Sequence, residues 1–352
     1  MKTEISVCIP LYNSARYVST AISSALNQTF SDLELLIIDD FSTDESLRIV
    51  SKFSDRRLRV LRNRRNLGMV HNWNRCLSLA RGRYVALLPS DDFMEPTRLE
   101  IQHEIMESDS QIGFAYSASL LVDDLGRRRQ LYRPYRASHI WNGVDEFRRH
   151  ALTNYVSFPT VMVRREVFSK VGLFDPDLIL GPDWDMWLRI ELEGYRVAYT
   201  THPLASFRAD RYGHRTSMSA SIHQKPLLTF QEDCRLIAKT FRDELLVSRI
   251  SAREAAILKR RALVGNAAVE LVRLLYQSFI LRQENKLISS VASLLLLTKR
   301  KCHGNPLELI GNFLARILGM ISGQISGKLF FRTRDMTRIP FDISRRRSDT
   351  NR

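Results

Sequence analysis

Along the first quarter of the chain, apolar positions alternate between a strand period and a helix period. Ile5-Ser6-Val7-Cys8-Ile9 is a short β-prone run stopped by Pro10. Tyr17, Val18, Ala21, Ile22, Ala25 and Leu26 then recur at helical spacing. Leu33 to Ile38 is a second apolar run and ends in Asp39-Asp40. Ser42-Thr43-Asp44-Glu45 has capping-box spacing, with Leu47 and Val50 on one face behind it, and predicts a helix start. Leu58 to Leu61 predicts a third strand. Val70, Trp73, Leu77 and Ala80 predict a helix, and Arg83 to Leu88 a fourth strand. The series reads βαβαβαβ. Its short unbroken apolar runs predict an α/β fold with a mostly parallel, Rossmann-like sheet flanked by helices on both faces.

Further on, Gly113 to Val122 is strand-like and closes on Asp123-Asp124-Leu125-Gly126, a turn sequence. Pro159 to Val163 predicts a shorter strand. Gly181-Pro182-Asp183-Trp184-Asp185-Met186-Trp187-Leu188 predicts a helix start, with Pro182 and Asp183 suited to its first turn. Gly194 is placed to stop that helix, and Tyr195 to Tyr199 predicts a strand. From about residue 220 the pattern turns to long helices, two of them over 226–281. Leu287 to Leu297 is Leu-rich but shorter than the roughly 20 apolar residues a bilayer span needs. Over 307–331, Ile310, Phe313, Leu314, Ile317, Leu318, Ile321 and Ile325 share one face. Two regions are therefore expected: 1–220, and a helical 221–352.

Charge sharpens that division. The net charge is +15. Residues 1–220 hold 29 Lys and Arg against 27 Asp and Glu, whereas residues 221–352 hold 24 against 11. The basic excess belongs to the C-terminal third, which ends near Arg345-Arg346-Arg347. An amphipathic, cationic helical segment suits an anionic membrane surface. A helix buried against its neighbours would show the same stripe. No nucleic-acid partner is expected, because no DNA- or RNA-binding motif accompanies the charge. Cys8, Cys76, Cys234 and Cys302 are far apart and lack metal-ligand spacing. Reduced thiols in a cytoplasmic protein are expected. The N-terminus enters a strand pattern directly, with no signal-peptide pattern.

In open parallel sheets, ligands bind beyond the carboxyl ends of the strands. Three predicted strand ends carry candidate chemistry: Pro10-Leu11-Tyr12-Asn13, Asp39-Asp40 and Asp91-Asp92. A lone Asp after a strand is often only a turn or cap residue. Two doublets in one sheet point further. Adjacent carboxylates repel unless a cation sits between them. Mg²⁺ or Mn²⁺ is bound by one or two carboxylates plus substrate phosphates. A nucleoside diphosphate carrying a leaving group fits such a site, and a separate carboxylate would take a proton from an attacking hydroxyl.

These residues also resemble a known family. Ser6-Val7-Cys8-Ile9-Pro10-Leu11-Tyr12-Asn13, Ser24-Ala25-Leu26-Asn27-Gln28-Thr29 and Ile38-Asp39-Asp40-Phe41-Ser42-Thr43-Asp44 look like the start of a family 2 glycosyltransferase. Asn66-Leu67-Gly68, Pro89-Ser90-Asp91-Asp92 with Pro96 and Leu99, and Gly181-Pro182-Asp183-Trp184-Asp185-Met186-Trp187-Leu188-Arg189 continue in the family's order, over roughly residues 4–215. The resemblance implies a GT-A fold and inverting transfer from a nucleotide sugar, with a UDP- or dTDP-sugar favoured, to a glycan or lipid-linked acceptor. By position, Pro10 and Tyr12 border the base and ribose, Asp40 hydrogen-bonds the base and Asn66 lies near the nucleotide. Asp91, five residues before Pro96, matches the metal-contacting Asp, and Asp92 is the alternative ligand. Asp183 matches the general base, with Trp184 and Trp187 on the acceptor side. For Asp183 the plain alternative is a helix N-terminal residue, and for the two Trp it is core packing.

Departures from the family pattern also show. Pro89 stands where many relatives have Asp, and Pro182 where many have Glu. Relatives often carry Arg-x-His after the last strand, whereas this chain reads Arg208-Ala209-Asp210, with His214 further on. A non-catalytic nucleotide-sugar-binding or scaffolding protein at the membrane surface is the second reading. A sugar nucleotidyltransferase ranks last, because no Gly-rich phosphate loop lies near the N-terminus.

Overall fold

The first four strands form where the apolar runs predict them. β1 spans Ile5–Leu11, α1 Val18–Leu26, β2 Leu33–Asp39, α2 Ser46–Val50, β3 Leu58–Arg62, α3 Met69–Leu79 and β4 Tyr84–Leu87. The chain continues through β5 (Phe93–Met94), α4 (Arg98–Ser108), β6 (Ile112–Val122), β7 (Arg128–Tyr132), β8 (His139–Trp141) and α5 (Gly143–His150). A 3-10 turn (Phe158–Thr160), β9 (Met162–Arg164), α6 (Val167–Val171), α7 (Pro182–Leu192) and β10 (Arg196–Arg208) follow. Three more helices are α8 (Pro226–Thr240), α9 (Glu244–Arg249) and α10 (Ala252–Leu281). This computed structural model describes residues 3–208, 226–242 and 244–281.

The main sheet runs β3-β2-β1-β4-β9-β6-β10-β5. β3, β2, β1 and β4 are mutually parallel, so their carboxyl ends share one edge. β6 and β10 are also parallel to each other. Between the two blocks, β9 runs antiparallel to both β4 and β6. The α/β class and the parallel first half are as expected, and the whole sheet is mixed.

Alternation along β1 explains the layering. Ile5, Val7, Ile9 and Leu11 pack with Val18, Ile22, Leu99 and Met106 from α1 and α4. Cys8 points the other way, into a cluster with Val70, Cys76, Leu77, Met186 and Trp187 from α3 and α7. α7 starts as the sequence predicts, with Pro182 at its first turn, and Gly194 ends the segment at φ +97°. Its outer side (Trp184, Leu188, Leu192) packs with Phe147, Leu236, Leu246, Ile250 and Leu258. The C-terminal helices therefore cover α7. The expected boundary at residue 220 does not separate compact units among the described residues.

Several local expectations are corrected. Ser42-Thr43-Asp44-Glu45 forms no capping box. Ser42 Oγ accepts instead from the Asn13 N–H, and α2 begins at Ser46 with no side-chain cap. Pro159 and Thr160 form the 3-10 turn, and the strand starts at Met162. The strand expected over 195–199 extends to Arg208. Three helices, not two, occupy 226–281. His214, the 287–297 run, the 307–331 stripe and the Arg345–Arg347 tail lie outside the described residues. Among the described residues no helix is long and apolar enough to cross a membrane.

Candidate active site

The shared carboxyl edge of β1, β2 and β4 collects the first group of candidates. β1 and β2 end in register, Leu11 beside Asp39, and the Asp40 N–H donates to the Leu11 carbonyl at 2.7 Å. The next residues leave the sheet in unusual conformations. Asn13 (φ +46°) and Phe41 (φ +65°) both adopt left-handed backbone. For an aromatic residue that is a strained state, of the kind found where surrounding contacts fix a functional loop. Those contacts are present. Asn13 Oδ1 accepts from the Thr43 N–H at 2.8 Å, and Ser14 Oγ meets Ser90 Oγ at 2.7 Å. The loops after β1, β2 and β4 are thus laced together. Tyr12 and Phe41 are left exposed beside this edge. Pro10, on β1 itself, is partly buried in register with Ile38.

Asp40 is buried and fully engaged. It accepts from Asn63 Nδ2 at 2.6 Å, the Leu67 N–H at 2.8 Å and the Gly68 N–H at 2.9 Å. Asn66 Nδ2 donates to the Asp40 carbonyl at 3.2 Å. Gly68 has φ +88°, which glycine alone adopts without strain. Asp40 therefore shapes the 63–68 loop, and Arg65, Asn66, Leu67 and His71 line a cavity of about 350 Å³ there.

Asp91 and Asp92 follow β4 as expected, and the structure separates their environments. Asp92 is almost fully buried. Its Oδ1 accepts from the Arg208 N–H at 2.8 Å, while its Oδ2 has no hydrogen-bond partner. Burial and the neighbouring Asp91 charge push its pKa well up. Asp91 is more open, and burial raises its pKa too. Arg208 braces the pair. Its Nε donates to the Asp91 carbonyl and its Nη1 to the Asp123 and Asp124 carbonyls, each at 2.8 Å. Its guanidinium also lies 4.4 Å from the Tyr17 ring centroid.

A hard divalent cation fits this donor set. Both adjacent carboxylates are disfavoured as anions by burial, Asp92 also by the Asp91 charge, and one Asp92 oxygen lacks a partner. Glu4, His103 and Glu107 also cluster, but Arg83 bridges both glutamates at 3.3 and 2.7 Å, which makes that group an ion-pair network.

Asp183 is held by other groups. It and Arg189 are the residues of α7 that are not buried. Burial of the carboxyl raises its pKa, opposed by the Trp184 N–H, by Asn154 and by His150. Asn154 Nδ2 donates to Asp183 Oδ2 at 3.2 Å. The two Trp beside it do not line an acceptor surface. Trp187 is fully buried against Phe114 and Phe174, and Trp184 is 3% exposed, with its Nε1 donating to the His150 carbonyl at 2.9 Å. Their acceptor-side assignment is therefore corrected to core packing.

Sequence reading missed Asn63, Asn154, His150, Glu191 and Arg98. Each acts through a partner distant in sequence, and none stands in a periodic pattern.

This fold matches solved GT-A glycosyltransferases. S. aureus TarS 1–349 in complex with UDP-GlcNAc superposes with a TM-score of 0.61 at 16% identity, over 89% of this chain and 92% of that one. Mannosyltransferase PcManGT from Pyrobaculum calidifontis, in complex with GDP-Man and Mn²⁺, gives 0.52 at 18% identity, over 90% and 88%. Residues 6–172 match the profile of glycosyl transferase family 2. Over that span, just under half of its length, the chain is similar to this family, and it is a glycosyltransferase. Escherichia coli WfaP, a UDP-Glc:α-D-GlcNAc-diphosphoundecaprenol β-1,3-glucosyltransferase, is 27% identical over 62% of this chain and 80% of its own length.

Proposed function

We propose that this glycosyltransferase moves a sugar, with inversion, from a nucleoside-diphosphate sugar to a hydroxyl of a glycan or lipid-linked acceptor in cell-surface polysaccharide synthesis. A UDP- or dTDP-sugar is the favoured donor. The observation that carries the reading is the pairing of two kinds of carboxylate. Asp91-Asp92 follow β4, whose carboxyl end shares an edge with the end of β2 that leads into Asp40, and Asp183 stands at the start of α7. The names of WfaP and of the TarS complex support a UDP-sugar, and the name of WfaP supports a lipid-diphosphate acceptor.

In this mechanism Pro10, Tyr12, Asp40 and Asn66 border the nucleotide. Asp91, with the more buried Asp92 next to it, would hold Mg²⁺ or Mn²⁺. When bound, that ion supplies counter-charge to the departing diphosphate. Asp183 accepts the proton of the acceptor hydroxyl as that oxygen attacks the anomeric carbon from the face opposite the nucleotide. Its raised pKa suits it to do so, because a base must bind the proton it removes. The basic segment 221–352 places the enzyme peripherally on anionic lipid at the cytoplasmic face of a membrane.

The test measures nucleoside-diphosphate release from UDP-glucose, UDP-GlcNAc and GDP-mannose, with and without Mn²⁺. Asp91→Ala should lose the Mn²⁺ stimulation. Asp183→Asn should keep UDP binding, read by thermal shift, while turnover falls about 10²–10⁴-fold. Undiminished turnover in Asp183→Asn removes it as the base.

A further inference from the structure

Resting on the reading of Asp183 as the base, we infer that Asn154, His150 and Glu191 form a hydrogen-bonded chain, buried at its His150–Glu191 end and open at Asn154, that orients and tunes it, with Asn154 as the positioning residue. The chain is continuous. Glu191 Oε1 lies 2.8 Å from His150 Nδ1, and both side chains are fully buried. His150 Nε2 lies 3.2 Å from Asn154 Oδ1, and Asn154 Nδ2 donates to Asp183 Oδ2 at 3.2 Å.

The amide orientation follows from a donor that cannot be reversed. The Val156 N–H donates to Asn154 Oδ1 at 3.2 Å. The carbonyl oxygen must therefore face Val156 and His150, which turns the NH₂ toward Asp183. His150 Nε2, opposite that oxygen, must carry hydrogen. Nδ1 meets a carboxyl, so one further proton is shared between His150 and Glu191. Burial alone would lower the His150 pKa; the Glu191 carboxylate overrides it, and the net shift is upward. Burial raises the Glu191 pKa to about 7, against the pull of His150.

Packing holds this chain in place. Gly143 at the start of α5 has no Cβ, and one there would lie 2.5 Å from the Glu191 carbonyl and 2.2 Å from that of Tyr195. Only glycine lets α5 come this close to the end of α7. At the other end of α5, Trp184 Nε1 ties the His150 carbonyl to α7. The Tyr155 ring packs on the imidazole at 4.7 Å.

The charged neighbours are accounted for. Glu146 adds to the raising of the His150 pKa, but its carboxylate is occupied by the Tyr116, Tyr135 and Tyr155 hydroxyls and by Arg149. On α8, Glu232 accepts from the Leu180 and Gly181 N–H groups, and Lys239 pairs with Asp175 and Asp185. The chain from Glu191 is the one that reaches Asp183 Oδ2. It does for this carboxylate what an orienting acid does for a catalytic histidine: it holds one oxygen in place.

The test titrates Asp183 directly, by carbon NMR of the full chain labelled with [¹³C]aspartate, using Asp183→Asn to assign the signal. Asn154→Ala should raise the Asp183 midpoint by about one pH unit, since it removes a donor to the charged form. Asn154→Asp should raise it further by placing like charge beside it. His150→Gln should also raise it, by removing the imidazolium. In turnover of a UDP-sugar with Mn²⁺, the acid limb of the kcat profile should move up with the midpoint, with UDP affinity within about twofold of wild type. If the midpoint stays fixed in Asn154→Ala while Asp183→Asn has lost turnover, the base stands and the chain is overturned. If Asp183→Asn retains turnover, both fall together.

Discussion

Replacing Asp40 by Asn tests whether one buried carboxylate organises the 63–68 loop. In the structure Oδ1 receives two donors, from Asn63 and Leu67, and Oδ2 receives the Gly68 N–H. An amide keeps a single acceptor oxygen. Set at the Oδ1 position, it retains two bonds in neutral form and turns an NH₂ against the Gly68 N–H. Losing one hydrogen bond to a charged acceptor costs about 1.5–3 kcal/mol. Charge-assisted bonds are roughly twice as strong as neutral ones, so the other two weaken by about 0.5–1 kcal/mol each. The total is roughly 2.5–5 kcal/mol, or a drop of about 5–20 °C in melting temperature for a domain of this size. Thermal melts of Asp40→Asn should show this. Asp32→Asn, an exposed site, should stay within about 0.5 kcal/mol of wild type. UDP binding should weaken alongside, because the 63–68 loop loses its anchor. A melt indistinguishable from the Asp32 control would refute the accounting.

Two further outcomes follow from buried charge. Arg98 is fully buried, with one donor unpartnered and burial lowering its pKa to about 9, and Asp92 is the carboxylate that acts on it. Arg98→Met should cost about 3–5 kcal/mol in denaturant melts, by leaving Asp92 uncompensated, and Arg98→Met with Asp92→Asn should recover much of that; no recovery excludes charge balance as the cause. The His150–Glu191 pair holds its proton more tightly folded than unfolded, so its contribution is complete below Glu191's ordinary pKa of 4.5 and is lost as pH rises through about 7 and the raised His150 value. Comparing melts at pH 6 and pH 8.5, wild type should lose more stability than Glu191→Gln; equal losses count against the shared proton.

Much of the first parallel block was legible because each of its elements is signalled locally. The apolar runs at β1, β2 and β4 mark strands, and the acidic doublets mark where those strands end. The start of α7 was equally plain, since proline and acidic residues at a first turn act through the nearest backbone. What escaped was decided by tertiary partners. Ser42 had the spacing of a cap, yet the Asn13 N–H claimed its hydroxyl. Trp184 and Trp187 stand in a motif whose resemblance implies an acceptor-side role, yet α7 is covered on both sides and takes both rings inside. β9 is too short to announce its direction, so the antiparallel seam in the sheet could not be foreseen. His150 and Glu191 are 41 residues apart. Nothing in either neighbourhood hints at the other until α5 is laid against α7.

The seam at β9 also bears on how the chain is made. β1 to β4 need nothing beyond residue 88 to pair with one another, so this block can close early on the ribosome. One side of β4 then stays open until Met162–Arg164 emerge to fill it. That wait is about 75 residues, roughly 4–15 s at ordinary rates of synthesis. During it, Tyr84–Leu87, all buried in the finished molecule, stand as an unpaired apolar border. A nascent chain arrested before β9 would be sticky along that border, whereas one released just past Arg164 would have it covered.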